Sequence, residues 1–200
     1  MAGGRPAPAR APQPGQRHRR LRGRHGPGRP PGRHGQGGGR LPGRAAPAGP
    51  VGEVRGVAFV NDSKATNPHA AARALAAFPR VVWIAGGRNK GLDFDDLVAG
   101  ALGRMAGVVL VGEAAEELMA ALDRAGFPGP VVRAASVGEA VTVGFGLAEP
   151  GDTVLLAPAC ASQDQFADYA ERGAAFEAAV ERLAARHSPD PGGGDDRGRS

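Results

Sequence analysis

The chain has 200 residues and a formal net charge of +5, which is enough length for one α/β domain with flanking tails. No run approaches the ~18 consecutive apolar residues of a membrane helix, and the N-terminus lacks the apolar core of a signal peptide. The single cysteine, Cys160, excludes an internal disulfide framework. The composition therefore predicts a soluble protein of the cytoplasm, without a membrane anchor.

Positive charge is concentrated at the start of the chain. Residues 1–50 hold 11 Arg and no Asp or Glu, whereas residues 51–200 hold 14 basic and 20 acidic residues. The first segment also has 13 Gly, 10 Pro and no aromatic residue, so we expect residues 1–50 to be disordered. An Arg-rich arm can bind nucleic acid, but GC-rich DNA translated in a wrong frame or from a wrong start would give the same composition. Both interpretations stay open, and nucleic acid is not the expected partner.

From Val51 onward, short β-branched runs alternate with helical patterns. Strands are predicted at 56–60, 80–85, 108–111, 131–133 and 153–157, and helices at 68–78, 94–105, 114–125, 136–147 and 172–186. Alternation with short connections is typical of a mainly parallel sheet with helices on both faces. The sequence therefore predicts an α/β domain over residues 51–187, followed by a disordered tail at residues 188–200.

A polar loop follows the first predicted strand, and we call residues 61–67 the Lys64 loop. Asn67 is a favourable N-cap and Pro68 suits the first helical position, so a helix should begin there. Its free N–H groups, with the ammonium of Lys64 and the hydroxyl groups of Ser63 and Thr66, could surround an anion. The alternative is a loop whose polar side chains only cap and turn the backbone.

Two further polar loops follow predicted strands. They are the Lys90 loop, residues 86–94, and the Ser162 loop, residues 158–166. Because ligands of parallel sheets bind beyond the carboxyl ends of the strands, all three loops are expected at one ligand-binding edge. The chain has only two lysines, Lys64 and Lys90, and both lie in these loops. Their retention indicates a need for compact ammonium groups, although two solvent-exposed loop lysines would look the same.

Several other kinds of site are not supported by the sequence. Neither G-x-x-x-x-G-K-[ST] nor G-x-G-x-x-G after a strand occurs, so a complete nucleotide site is not expected. A catalytic cysteine needs a basic partner, and we interpret Cys160 as a small, partly buried thiol. The spacing of Asp62, Asp93, Asp95 and Asp96 matches no metal-binding loop, and no metal site is expected.

Three ordered motifs resemble the C-terminal domain of the Mur ligases, and within them the D-glutamate-adding branch. They are Asn61-Asp62-Ser63-Lys64-Ala65-Thr66-Asn67-Pro68, Ala85-Gly86-Gly87-x-x-Lys90-Gly91-x-Asp93-Phe94, and Leu155-Leu156-Ala157-Pro158-Ala159-Cys160-Ala161-Ser162-x-Asp164-x-Phe166 with Arg172-Gly173-x-x-Phe176. The resemblance covers residues 51–186. It implies a Rossmann-like domain that closes over an ATP-binding domain during peptidoglycan precursor synthesis, where the amine of an amino acid attacks an acyl phosphate.

The resemblance also implies roles for individual residues. The D-glutamate carboxylates would be held by Lys64, Thr66, Lys90, Ser162, the Gln163 backbone and Tyr169. The nucleotide would face Asn61, Asp62 and Lys64. Tyr169 stands where phenylalanine is expected, and Ala157 where serine is expected, so the aromatic contact is the less secure of these assignments.

In that family ATP, Mg²⁺ and the UDP-linked muramoyl peptide are bound largely by an N-terminal and a central domain, which residues 1–50 do not resemble. We therefore expect a truncated ligase, or a gene product with a disrupted start, that forms no amide bond alone and binds neither ATP nor Mg²⁺ fully. Two alternatives are a free-standing module for an acidic amino acid or a nucleotide, and nucleic-acid binding through the Arg-rich arm.

Overall fold

The computed structural model describes residues 49–188, so the predictions for residues 1–48 and 189–200 lie outside the described residues. Strands and helices alternate along this part of the chain. The elements are β1 (Gly49–Val54), β2 (Val57–Asn61), α1 (Pro68–Ala76), β3 (Val81–Gly86), α2 (Asp95–Ala101), a 3₁₀ turn (Leu102–Arg104), β4 (Met105–Val111), α3 (Ala115–Arg124), β5 (Val131–Arg133), α4 (Val137–Leu147), β6 (Thr153–Ala159) and α5 (Tyr169–His187).

The strands form one six-stranded sheet in the order β1-β2-β6-β3-β4-β5. β1 pairs with β2 in antiparallel orientation, and every other pairing is parallel. β6 lies between β2 and β3 and is buried along its whole length, as expected for an apolar strand at the centre of a parallel sheet. The predicted α/β class with a mainly parallel sheet is confirmed.

Each face of the sheet is covered by its own helices. Alternate residues of β3 point to opposite faces, so that Trp83 packs with α1, α2 and α3, whereas Ile84 packs with α4 and α5. The indole N–H of Trp83 donates to the Ala157 carbonyl oxygen at 2.7 Å, which satisfies the polar atom of a fully buried ring. The sheet is therefore packed against helices on both faces, and this packing supports the loops at its carboxyl edge.

Two elements differ from the sequence prediction. β1 was not predicted; it returns to β2 through a tight turn in which both Arg55 and Gly56 have positive φ, the geometry of a two-residue hairpin. The helix predicted for 94–105 ends at Ala101, and Met105 instead begins β4, where it pairs with Val81. Gly100 and Gly103 lower the helix propensity of this stretch, and the residues from Met105 onward pair in the sheet instead.

No helix within residues 49–188 combines the length and the hydropathy that crossing a membrane requires.

Candidate anion-binding site at the carboxyl edge of the sheet

The three polar loops meet because β2, β6 and β3 are neighbours in the sheet. The backbone N–H of Ala159 donates to the carbonyl of Ala65 at 2.9 Å, which joins the Ser162 loop to the Lys64 loop. Arg88 and Ala161 exchange two backbone hydrogen bonds of 2.8 and 3.1 Å, which join the Ser162 loop to the Lys90 loop. Chain segments about a hundred residues apart thus form one continuous edge.

A single buried side chain, Arg172 of α5, forms hydrogen bonds with all three of these loops. Its guanidinium donates to the Ser63 hydroxyl at 3.0 Å and to the Ser63 carbonyl at 2.9 Å. It also donates to the carbonyl of Cys160 at 3.2 Å, through two of its nitrogens, and reaches the carbonyl of Gly86 at 3.5 Å. Arg172 therefore fixes the spacing of all three loops.

The charge of Arg172 is held by carbonyl oxygens, and no carboxylate within residues 49–188 forms a salt bridge with it. Burial lowers the pKa of Arg172 to about 10, against the influence of Asp164, so the side chain is still charged at neutral pH. Arg172 belongs to the third sequence motif, but the sequence did not predict a role for it. The available signal was its position four residues before Phe176, on the apolar face of α5.

The Lys64 loop presents polar groups beside the start of a helix. α1 begins at Pro68, and its N-cap Asn67 accepts a hydrogen bond from the N–H of Ala70 at 2.9 Å, as predicted. Lys64 is exposed and Thr66 is half-buried. In the described part of the chain, no acidic side chain forms a salt bridge with Lys64. Its ammonium is therefore available to an anion.

Asp62 and Asn61 of this loop are in different situations. Burial raises the pKa of the half-buried Asp62 carboxyl above its ordinary value, and the nearby Lys64 ammonium opposes this shift. The Asn61 amide donates to the Gly173 carbonyl at 3.3 Å and to the Glu177 carboxylate at 2.8 Å. Asn61 thus ties β2 to α5, and its contact with a nucleotide stays a prediction.

The Lys90 loop leaves the sheet through two glycines with positive φ, Gly86 and Gly87. A Cβ at Gly86 would lie 1.9 Å from the carbonyl oxygen of Val111, so only glycine fits at this point. Lys90 itself is exposed, and among residues 49–188 it takes part in no salt bridge. The loop thus presents a second available ammonium group at the shared edge.

The Ser162 loop contributes the hydroxyl group of a largely buried residue, Ser162. The Ser162 carbonyl accepts from the N–H groups of Gln165 and Phe166 at 3.2 and 3.0 Å, which forms a tight turn. Gln163 is exposed, and Tyr169, the first residue of α5, is 36% exposed. Within residues 49–188 no hydrogen bond to the Ser162 hydroxyl is found, and no fully buried side-chain oxygen there lacks a partner, so this hydroxyl keeps some exposure. It is therefore free to donate to a ligand at this edge.

Cys160 is buried rather than partly exposed. Burial raises its pKa to about 12, with Arg172 acting in the opposite direction, so the side chain is a neutral thiol at physiological pH. A neutral buried thiol is a poor nucleophile. Within residues 49–188, no three His, Cys, Asp or Glu side chains are gathered closely enough to hold a metal ion. The described residues thus offer no cluster of three such ligands for Mg²⁺, and we assign no step to it.

The edge as a whole suits a small molecule with negative charge. The available ammonium groups of Lys64 and Lys90 lie on loops that flank the Ser162 loop, and α1 begins directly after the Lys64 loop. A family model described as "Mur ligase, glutamate ligase domain" matches residues 49–160, more than half of the chain. The chain belongs to the Mur ligase family. The resemblance inferred from its three loop motifs is confirmed.

Three proteins similar to this Mur ligase domain carry the same name. UDP-N-acetylmuramoylalanine–D-glutamate ligase of Frankia casuarinae is 56% identical over 130 residues, covering 65% of this chain and 28% of that protein. The proteins of the same name from Streptomyces coelicolor and Thermobifida fusca are each 51% identical, covering 68% and 67% of this chain. The chain spans less than a third of the length of these relatives.

Proposed function

We propose that this Mur ligase domain holds the incoming amino acid in the ligation for which its relatives are named, the addition of D-glutamate to UDP-N-acetylmuramoylalanine. The observation that carries the proposal is the pair of lysines, Lys64 and Lys90, at one edge of the sheet and without salt-bridge partners in the described part of the chain. D-Glutamate has two carboxylates, and each ammonium group can neutralise one of them. The identity of the relatives supports D-glutamate over other dicarboxylates.

The remaining contacts are those that the resemblance to the family implies. The hydroxyl groups of Thr66 and Ser162 and the backbone N–H of Gln163 would donate to the carboxylate oxygens. The ring of Tyr169 would cover the aliphatic part of the amino acid, since it is half-exposed at the start of α5. These contacts would all be made to the carboxylates and the aliphatic part of D-glutamate, which would leave its amine for attack on the acyl group.

In this proposal the carboxyl group that the amine of D-glutamate attacks would be activated as an acyl phosphate, with ADP released when the acyl phosphate forms from ATP and phosphate released when the amide bond forms. Lys64 and Asp62, which directly follow β2, would face the nucleotide, as the resemblance to the family implies. Asn61 would contribute less, since its amide is already bonded to α5. The Mg²⁺ ion and the UDP-linked muramoyl peptide would be bound by the domains that precede this one in full-length relatives, in the cytoplasm during peptidoglycan synthesis.

Binding of D-glutamate to the 200-residue chain tests this proposal. Loss of a charge-assisted hydrogen bond corresponds to roughly tenfold in affinity or more, so we expect Lys90→Ala and Lys64→Ala to weaken binding by at least that factor. Arg73→Ala is a matched control, because Arg73 is an exposed cation in the last turn of α1. Isothermal titration with D-glutamate, and with L-glutamate for comparison, measures the effect. Equal affinity in wild type and both lysine variants would contradict the proposal.

Amide-bond formation requires more than this domain. The 200 residues contain no G-x-x-x-x-G-K-[ST] segment, so we expect no ATP-dependent ligation of D-glutamate by this chain alone. Phosphate release that depends on D-glutamate and the nucleotide-linked muramoyl substrate measures it. Sustained turnover would contradict the proposal that ligation needs further domains. It would not contradict the proposed D-glutamate-binding site.

A further inference from the structure

Two acidic residues of the α3 region hold the residues that immediately precede Lys90. The guanidinium of Arg88 donates to the Glu113 carboxylate at 3.2 Å, and the side-chain amide of Asn89 donates to the Glu117 carboxylate. Glu113 lies just before α3 and Glu117 lies in its first turn. The backbone N–H of Glu113 also donates to Asp164 of the Ser162 loop at 3.2 Å. The start of α3 thus supports the Lys90 loop from outside the sheet.

Asn89 also closes the turn that contains Lys90. Its amide nitrogen donates to the carbonyl of Leu92 at 3.0 Å, and its amide oxygen accepts from the N–H of Leu92 at 2.9 Å. Gly91, between them, has a positive φ and nothing within 4 Å of where a Cβ would be. Packing therefore does little to hold this turn, and the hydrogen bonds of Asn89 determine its shape.

The two carboxylates that contact the residues just before Lys90 are both engaged with those residues. Glu113 pairs with Arg88, and Glu117 accepts from Asn89. Lys90 follows these two residues directly in the sequence but forms a salt bridge with no carboxylate of residues 49–188. A lysine beside a carboxylate without a partner would pair with it and lose its attraction for an anion.

From this arrangement we propose that Asn89 is a positioning residue, which keeps Lys90 available to a bound anion by occupying Glu117 and by closing the turn at Leu92. The proposal rests on the proposed function, because the anion is a D-glutamate carboxylate. It adds a specific role for two residues, Asn89 and Glu117, that contact no ligand themselves. Removing the Asn89 side chain leaves the Glu117 carboxylate without its amide donor. This carboxylate lies beside the position in the loop that directly precedes Lys90.

Three variants separate this role from a loss of folding. Asn89→Ala removes the amide, Glu117→Gln removes the negative charge but keeps an oxygen that accepts from Asn89, and the double variant removes both. Glu116→Gln is the matched control, because Glu116 occupies the same turn of α3 but pairs with Arg133, away from the loop. An amide NMR spectrum of each variant checks that the fold is kept.

We expect Asn89→Ala to weaken D-glutamate binding about fivefold, the effect of one polar contact. Glu117→Gln and Glu116→Gln should stay within about twofold of wild type, and the double variant should recover part of the lost affinity, because the competing charge is gone although the turn at Leu92 still lacks its hydrogen bonds. A purely structural role for Asn89 predicts no recovery in the double variant. That result, or no loss in Asn89→Ala, would overturn the proposal.

A second measurement needs no ligand. With only two lysines in the chain, the ¹⁵Nζ resonance of Lys90 can be followed after ¹⁵N-lysine labelling, with Lys64→Arg for assignment. It should shift in Asn89→Ala and return in the double variant; an unchanged resonance would overturn the proposal. If wild type binds no D-glutamate, the proposed function fails, and a reversible shift still supports the positioning role of Asn89.

Discussion

Burying a guanidinium costs free energy unless every donor finds a partner. Arg172 is 2% exposed, and its donors reach oxygen atoms of Ser63, Gly86 and Cys160, one from each loop or its strand end. A planar fork can satisfy several carbonyl groups at once, whereas an ammonium is a point charge on a flexible stem. The hydrogen bonds of the buried Arg172 therefore fix the geometry of the candidate site.

Replacing this arginine by lysine should destabilise the domain while keeping its charge. We expect Arg172→Lys to lower the free energy of unfolding by about 2–4 kcal/mol, because buried carbonyl groups lose their donors. Urea denaturation followed by circular dichroism measures the loss. Arg186→Lys, at an exposed position in the last turn of α5, should stay within about 0.5 kcal/mol of wild type. Equal stability of the two variants would show that Arg172 is not a structural tie.

Asp62 gives a dependence on pH whose sign follows from its environment. Burial raises its folded pKa above the ordinary value, so the ionised form is less favourable in the folded than in the unfolded chain. Ionisation therefore lowers stability as the pH rises through the folded pKa, and the loss disappears below the unfolded value of 3.8. The carboxylate is then retained at neutral pH at the expense of stability, as expected for a ligand-facing group.

The corresponding substitution is Asp62→Asn. We expect it to raise the thermal unfolding midpoint at neutral pH, by an amount that shrinks as the pH is lowered toward 3.8. Scanning calorimetry of both proteins over this range measures the difference. A difference that is independent of pH would mean that ionisation of Asp62 is not its cause.

At the scale of the elements, the exit of β3 into the Lys90 loop is the most constrained backbone. Gly87 has φ +127°, and a Cβ there would lie 2.2 Å from the carbonyl oxygen of Ala161, in the strand-like pairing that joins two loops. We expect Gly87→Ala to cost about 2–4 kcal/mol of unfolding free energy, from strain and from the displaced loop. Urea denaturation measures the cost.

The control for this substitution lies in α4. Nothing is within 4 Å of a Cβ at Gly146, which is exposed in the helix, so Gly146→Ala should stabilise by about 0.5–1 kcal/mol through helix propensity alone. The two alanine substitutions should thus have opposite signs. Stabilisation by Gly87→Ala would contradict the close approach of the two loops.

The elements that sequence patterns predicted are those with clear periodicity or capping. Asn67 and Ser136 both act as N-caps, and the buried strands β3 and β6 are apolar along their length. β1 was missed because Gly-Pro-Val-Gly-Glu-Val has no alternating pattern, and only its pairing with β2 makes it a strand. Propensity cannot report a partner strand, so edge strands of this kind need the tertiary structure.

The same limit applies to the candidate site. The sequence located Lys64, Lys90 and Ser162 in loops at one edge, because parallel strands share their carboxyl end. It did not predict that Arg172 lies under these loops, nor that Asn89 engages Glu117, because both contacts join segments far apart in the chain. Such contacts depend on which helix packs beside which strand, and that is determined by the whole fold.

At the scale of the whole molecule, the candidate site exists only through the strand order. β6 is last among the strands in the chain but lies between β2 and β3, and this insertion brings the Ser162 loop between the two lysine-bearing loops. No one segment carries both ammonium groups and the hydroxyl. In a sheet with the strands in sequential order, β2 and β3 would be neighbours and the Ser162 loop would lie at the far edge, away from both lysines.

The measurement that tests the central claim most directly is an amide NMR titration of the isotopically labelled 200-residue chain with D-glutamate. The account predicts saturable shifts confined to residues 61–67, 86–94 and 158–169, with amides at the opposite end of the sheet, around the buried Asp152, unchanged. The account is contradicted if D-glutamate shifts none of the three loops, or if the shifts cluster elsewhere on the domain.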